Sequence, residues 1–508
     1  MQNLPARLVE ILLLGCVALG CGGCEGVPDE GGATGGSGGF GGSSSGGAGA
    51  LPAGGSTSTP PPMGGADSGA AGRGGDSGRD GEVVLVPNWS VRKRLRPTQG
   101  GDFVLEEVLQ GFAVAMAPPT RIRALGPNMD TDGLWSAPPA TYISDFTRHP
   151  SGEFSAVLVA EDKTVSIARL ASDLTLLGLT QIHDPEIVND PHAAEFGGND
   201  LSGNGLALDP ARVGAIGETT VVAVLSSMYS VIAYRLDFDA GAWSAPARTL
   251  LEPPSALVPF LPTGGSFDTF GAIGAWAVCP LDVDDEGNVY VVVWAGQHRI
   301  RDHVAVFNDG LTPLPDPSNP AGDSDLLLTK MAADGTRVWS RVIGSEHEDE
   351  PYAIRARAGF VAVVGRSRRF PGFDNTVWDA LLSVSTSSGD LAGTRTLAFN
   401  ASSILLAGDV LPSGGWLLGG SDGWSQNPDG LSVLSFGAKL LLTLDAVDGT
   451  PLRYDLESGP RHNEIRAVVA DSDRLWFGGH EDGPIMHTGD SDPTQIRATG
   501  VLGYIVRH

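Results

Sequence analysis

Lysine is nearly missing from this chain of 508 residues: Lys93, Lys163, Lys330 and Lys439 are the only four. Arginine brings the basic total to 33, against 60 acidic residues, for a net charge of −27. Such a surface repels phosphate backbones and anionic lipid, so nucleic acid is not an expected partner. It suits solubility, divalent cations or basic ligands. Cysteine is scarce too. Cys16, Cys21 and Cys24 crowd the N-terminus and Cys279 stands alone, which is no disulfide framework; Cys279 reads as a small buried hydrophobe. No apolar run reaches the about 20 residues that a spanning helix needs. Enzyme signatures are also lacking: there is no His-Glu-x-x-His, and no Gly-x-Ser-x-Gly elbow or phosphate-cradling glycine loop between a strand and a helix is expected.

What is present divides the chain into three. Residues 1–20 hold Arg7 and then a mostly apolar run, Leu8 to Leu19, broken by Glu10. This has the length of a signal-peptide core. Ala18-Leu19-Gly20-Cys21 resembles the lipobox of bacterial lipoproteins, with Leu13-Leu14-Gly15-Cys16 as the rival and an ordinary cleaved signal as the third reading. The resemblance implies acylation of Cys21. Gly22 stands where an Asp would retain the protein at the inner membrane, so it also implies the outer membrane. Residues 21–82 are Gly/Ser/Ala/Pro with almost no branched or aromatic residues, a composition that stays disordered. As a flexible tether it separates its ends by about 40 Å.

Residues 83–508 change texture to short apolar runs punctuated by Gly and Asp-Gly, with no sustained helical period. The clearest unit is a strand at Tyr352 to Arg357, the turn Ala358-Gly359 and a strand at Phe360 to Gly365. A longer loop leads to a third strand at Asp379 to Val384, the turn Ser388-Gly389 and a fourth strand at Thr394 to Phe399. Four sequential antiparallel strands make one propeller blade. Second strands are led by Gly111-Phe112, Gly152-Glu153-Phe154, Thr219, Gly287-Asn288-Val289, Gly359-Phe360, Gly415-Trp416 and Leu475-Trp476. Seven such leads, about 40 to 70 residues apart, predict an all-β, seven-bladed β-propeller of four-stranded antiparallel blades. The last blade reaches only a third strand at Gly503 to Arg507. Asn88-Trp89-Ser90-Val91 matches Val338-Trp339-Ser340-Arg341, so Trp89 to Leu95 is expected to pair with Tyr504 to Arg507 and close the ring.

Asp325-Leu-Leu-Leu-Thr-Lys330, Asp334-Gly335, Trp339, Gly344-Ser345, Asp349-Glu350, Ile354 and Gly359-Phe360-Val361-Ala362-Val363-Val364-Gly365 together resemble the bacterial β-propeller repeats called SBBP. They are more loosely similar to quinoprotein-type propeller repeats. The resemblance covers 325–365 well and implies fold more than activity.

The strand reading puts short turns on one face of the ring and long connections on the other, and binding usually sits on elaborated loops. Histidines His183, His192, His298, His303, His347, His462, His480 and His487 fall in those long loops, with Glu195, Glu348, Asp349, Glu350, Glu481 and Asp482 nearby. They are candidate ligand contacts at the ring mouth, against a reading as polar residues in polar loops. Asp349 also fits a turn cap. Arg366, Arg368 and Arg369 with Phe370, Phe373 and Trp378 form a basic-aromatic cluster suited to a carboxylate or glycan. Asn128, Asp130 and Asp132 alternate like a calcium loop, but Pro139 stands at the twelfth position, where a bidentate Glu belongs. No cofactor is expected, with bound calcium as the alternative. The expected function is a monomeric, lipid-anchored, non-catalytic envelope module binding protein or glycan. The alternative is a metal-dependent envelope enzyme, a quinoprotein dehydrogenase or lactonase-type hydrolase.

Overall fold

A computed structural model describes residues 83–86, 90–98, 101–108, 117–126, 131–160, 164–184, 211–225, 231–252, 280–296, 324–345, 347, 349–369, 377–399, 401–426, 433–483 and 499–507. Among them there is no helix, and the strands form seven antiparallel blades of four strands, one with a fifth strand alongside, plus a two-stranded hairpin. Blade 1 is β2 (Ser90–Thr98), β3 (Gly101–Val108), β4 (Ala117–Leu125) and β5 (Thr131–Ser136). Blade 2 is β6 (Thr141–Arg148), β7 (Phe154–Ala160), β8 (Val165–Leu170) and β9 (Leu176–Gln181). Blade 3 is β10 (Ala211–Ile216), β11 (Thr219–Leu225), β12 (Val231–Leu236) and β15 (Ala247–Glu252), with a hairpin of β13 (Phe238–Asp239) and β14 (Ala242–Trp243) between the last two. Blade 4 is β16 (Leu281–Val283), β17 (Val289–Gly296), β18 (Ser324–Met331) and β19 (Arg337–Ile343). Blade 5 is β20 (Asp349–Arg357), β21 (Phe360–Arg368), β22 (Trp378–Thr386) and β23 (Leu391–Leu397). Blade 6 is β24 (Ser402–Val410), β25 (Trp416–Gln426), β27 (Ala438–Leu444) and β28 (Leu452–Arg453), with β26 (Val433–Ser435) alongside β25. Blade 7 is β29 (His462–Ala470), β30 (Arg474–Gly483), β31 (Thr499–Val506) and, from the other end of the chain, β1 (Val83–Val86).

Each strand alternates its side chains between two seams, so one blade feeds two interfaces. Seven apolar clusters fill seven seams. Phe146, Phe154 and Leu170 meet Phe103 and Ile122 between blades 1 and 2. Val157 and Ile167 meet Val213 and Ile232 between blades 2 and 3. Leu382 and Val384 meet Leu418 and Leu440 between blades 5 and 6. The seam that proves closure joins Ala467, Val469, Trp476 and Leu502 of blade 7 to Val104 and Leu125 of blade 1. Burial of each such side chain is worth roughly 1.5–3 kcal/mol.

The ring closes, but not with the strand expected. Val83–Val86 pairs with Leu502–Ile505, while Ser90–Thr98 is the inner strand of blade 1; Trp89 lies outside the described residues. The resemblance to Trp339-Ser340 misled because a ring needs both strands. Had residues 89–95 closed blade 7, blade 1 would have lacked its inner strand. In blade 1 the second strand is Gly101–Val108, upstream of Gly111-Phe112, which also lies outside the described residues. The turn at Ala240-Gly241 heads an extra hairpin, so the short-turn face is not uniformly plain. Nor is every opposite connection long: Ala160 and Val165 bound a brief one.

Polar seams repeat around the ring. Asp145, Asp282 and Asp409 on inner strands accept the backbone N–H groups of Val213, Ala356 and Ala470 on the inner strand of the following blade. Arg355 spans two of these aspartates, bonding Asp282 and Asp409, and their carboxylates hold its guanidinium protonated against the opposing effect of burial. Further out, Arg235, Lys330 and Arg395 donate to backbone carbonyls in the last turn of the next blade, at Asp334, Ser387 and Val447.

Candidate functional site

Blades 5, 6 and 7 share a frame at the end of the inner strand nearest the long connections. There the inner strand bulges, and a glycine of the second strand sits opposite: Gly365, Gly420 and Gly479. A Cβ at these positions would lie 1.9, 1.8 and 2.0 Å from the carbonyl oxygens of Glu350, Ile404 and Glu464, so only glycine fits. A bulge re-aims the side chains next to it. The residue after each glycine then faces the inner strand directly, giving the pairs Arg366 and Glu350, Ser421 and Ile404, His480 and Glu464.

In blade 5 the pair is satisfied. Arg366 donates to the Glu350 carboxylate at 2.8–2.9 Å, and the Tyr352 hydroxyl donates to the same oxygen at 3.1 Å. The Arg366 guanidinium lies 4.0 Å from the centre of the Trp378 ring and that of Arg368 5.0 Å, a double cation–π stack. Trp378 packs with buried Trp424 and partly buried Phe436, and Arg461 lies 5.2 Å over Phe436.

Blade 7 has the same frame and a different outcome. Glu464 accepts from His462 Nε2 at 2.7 Å and from Arg466 at 2.8–2.9 Å. His462 Nδ1 accepts the Gly437 N–H at 3.0 Å, which places the ring proton on Nε2. Burial pushes the Glu464 carboxyl up, but Arg466 and His462 outweigh it and hold it well below the usual carboxylate range. His480 therefore stands where Arg366 stands in blade 5, opposite a carboxylate already engaged. It is fully buried, and neither ring nitrogen has a hydrogen-bond partner among the described residues. Burial lowers its pKa to about 3, so the imidazole is neutral. The Tyr352 phenol is raised, by burial and by Glu350 and Glu464, and stays protonated.

The sequence candidates divide accordingly. Arg366, Arg368 and Trp378 come together, and His462 and His480 come together; the latter two lie in β29 and β30, not in loops as expected, because both fall at bulged strand ends. Arg369 is turned away to Asp379 and the carbonyls of Phe399 and Ala401. Asp349 is buried and accepts the Ser345 N–H and hydroxyl, a turn cap, and half-buried His347 donates its N–H to Ser345 Oγ. His183 is exposed beyond β9, and Asp132 is exposed in β5. Cys21, Asn128, Asp130, Cys279, His192, Glu195, His298, His303, Phe370, Phe373 and His487 lie outside the described residues. Among the described residues no three His, Cys, Asp or Glu converge as a metal site.

Glu464, Arg466, Tyr352 and Trp424 were missed. The recurring Ile-Arg-Ala at 354–356 and 465–467 was the available signal for an inner strand. The string Gly419-Gly420-Ser421-Asp422-Gly423 was also passed over. It spells Gly-x-Ser-x-Gly but is no nucleophile elbow: Ser421 is fully buried within β25, and its hydroxyl donates to the Ala438 carbonyl at 3.4 Å.

No family model and no curated protein matches the chain. Among solved structures it is similar to the WD40 β-propeller domain of Doa1, at 8% identity and TM-score 0.39, over 83% of this chain and 95% of that one. It is similar also to the extracellular domain of the putative hybrid two-component system BT4673 from B. thetaiotaomicron, at 8% identity and TM-score 0.37. That match covers 83% of this chain but only 39% of the other. Strand pairing and the seven filled seams make the chain a seven-bladed β-propeller.

Proposed function

We propose that this chain is a lipid-anchored cell-envelope β-propeller, acylated at Cys21, SBBP-like in its repeats, and used as a non-catalytic interaction module. It binds protein or glycan at the envelope through the long-connection face of blades 5 to 7. The observation that carries this reading is the backbone frame of Gly365, Gly420 and Gly479, which holds a different side-chain pair in each of three blades. Glu464 is held ionised while His480 is neutral and Tyr352 protonated, so none of them changes charge near neutral pH. A general acid or base works best with a pKa near the operating pH, whereas recognition works best with donors and acceptors that do not move. Beside them Arg366 and Trp378, both buried, stack with half-buried Arg368 at the base of the long connections, planar and charged groups of the kind that peptide or sugar recognition uses.

Binding of the purified full chain to envelope fractions tests this. Capture that survives chelation and is lost with Trp378→Ala is expected. Loss after protease digestion identifies a protein ligand, and loss after periodate oxidation a glycan. No capture, or capture indifferent to Trp378→Ala, overturns the reading. Stoichiometric calcium or zinc with chelator-sensitive turnover would establish the enzyme alternative instead. Labelling with radioactive palmitate, abolished by Cys21→Ser and kept by Cys16→Ser, tests the anchor.

A further inference from the structure

Among the described residues the outermost strand of each blade has an unpaired backbone edge, and proteins protect such edges with charge, proline or brevity. Six of the seven outer strands have described side chains. Five follow the rule: Asp132 in β5, Arg248 in β15, Arg337 and Arg341 in β19, Arg395 in β23 and Arg453 in the two-residue β28. β9 does not. Its sequence is Leu176-Leu177-Gly178-Leu179-Thr180-Gln181, without a charge, and its three leucines are 48, 39 and 51% exposed. Among the described residues it pairs only with β8.

The ladder fixes which groups are free. The Ile182 N–H donates inward to the Val165 carbonyl, so in an antiparallel pair Thr180 also bonds inward, while Leu179 and Gln181 turn their N–H and C=O groups outward. One face of the strand has a wall. A Cβ on Gly178 would lie 2.6 Å from the Phe238 ring, so the hairpin β13–β14 sits against it, with Phe238 and Trp243 packed edge to face at 5.0 Å. Around this apolar edge stand exposed carboxylates: Asp173 in the turn before β9, and Asp237 and Asp239 on either side of Phe238.

We propose that β9 is a strand-addition site for an extended segment of a partner protein, with apolar side chains at alternate positions and lysine or arginine at its ends. The backbone edge supplies the hydrogen bonds, the exposed leucines the side-chain contacts, and the three aspartates the preference for basic ends. A second copy of this chain fits worse. Its net charge of −27 opposes association, and one six-residue edge buries far less than the ~1,200 Å² of a stable dimer. This surface is separate from the long-connection face.

A fluorescent peptide of alternating valine and threonine with two lysines at each end, titrated against the full chain, tests the inference by anisotropy. Binding is expected with slowed hydrogen exchange at the Leu179 and Gln181 amides, and Leu179→Lys should weaken it at least tenfold at an unchanged melting temperature. Replacing the terminal lysines with aspartates should weaken it as well, while Arg368→Ala on the other face should leave it unaltered. Failure to bind, exchange protection elsewhere, indifference to Leu179→Lys, or concentration-dependent dimerisation abolished by that substitution would each overturn the proposal.

Discussion

The two ends of the inner strands are both buried and both charged, yet they differ in one respect. Toward the short turns, Asp145, Asp282 and Asp409 do the same thing in three blades: each grips a backbone N–H of the following blade. Toward the long connections, the shared glycine frame of Gly365, Gly420 and Gly479 carries a different pair in each blade, and in blade 7 it leaves His480 without a hydrogen-bond partner among the described residues. Repetition at one end marks what every seam needs in order to hold. Divergence on a constant backbone at the other coincides with the proposed binding site.

Four tests can break or sharpen that contrast. Asp409→Ala strips Arg355 of a carboxylate and leaves the Ala470 N–H unpaired. It should cost about 3–5 kcal/mol in urea unfolding, and a loss under 1 kcal/mol would show that the seam does not depend on it. Gly479→Ala drives a methyl group into the Glu464 carbonyl and should cost about 2–3 kcal/mol. Wild-type stability in that variant would mean that the frame is not rigid.

Acidification comes next. His149 is buried with Nδ1 donating to the Gly217 carbonyl and Nε2 accepting from Ser155, and burial lowers its pKa to about 4. His480 is lowered to about 3. An unfolded histidine takes up its proton near 6.5, so the unfolded chain binds more protons below that pH and stability falls with pH. Each histidine contributes about 1.4 kcal/mol per unit. The depressed Glu464 adds its loss only further down, as pH drops below the ordinary carboxylate value toward its own. Between pH 6.5 and 5 the decline should therefore flatten in His149→Gln, and a slope unchanged by that substitution contradicts the assignment. The smallest effect separates two neighbouring histidines. His480→Leu removes no hydrogen bond and should be neutral or stabilise by about 1 kcal/mol, whereas His462→Leu strands Gly437 N–H and should destabilise by about 1–3 kcal/mol. Equal melting shifts for the two would erase the distinction between an engaged and an unengaged imidazole.

Much of the architecture was legible because its signals are local. Gly359-Phe360 and Gly415-Trp416 announce second strands through a tight turn followed by an apolar run, and β21 and β25 begin at those aromatics. The third strand at Asp379 to Val384 reads equally well and lies within β22. Closure was harder, since Val83–Val86 and Trp89–Leu95 are both plausible strands and the choice depends on blade 1, hundreds of residues from blade 7. The candidate site was legible only in part. Arg366 and Trp378 are near in sequence and meet. Glu464 meets His480 only through a cross-strand register set by a bulge, and no spacing along the chain encodes that.

The four residues of β1 are the first strand of the folded ring and the buckle of its last blade. A tug arriving along the chain from upstream of Val83 falls first on this short clasp, before any complete blade feels it. Unpicking it would bare the rim of β31 while the apolar seam between Val104 and Leu502 still holds, so the propeller can yield at its latch without coming apart.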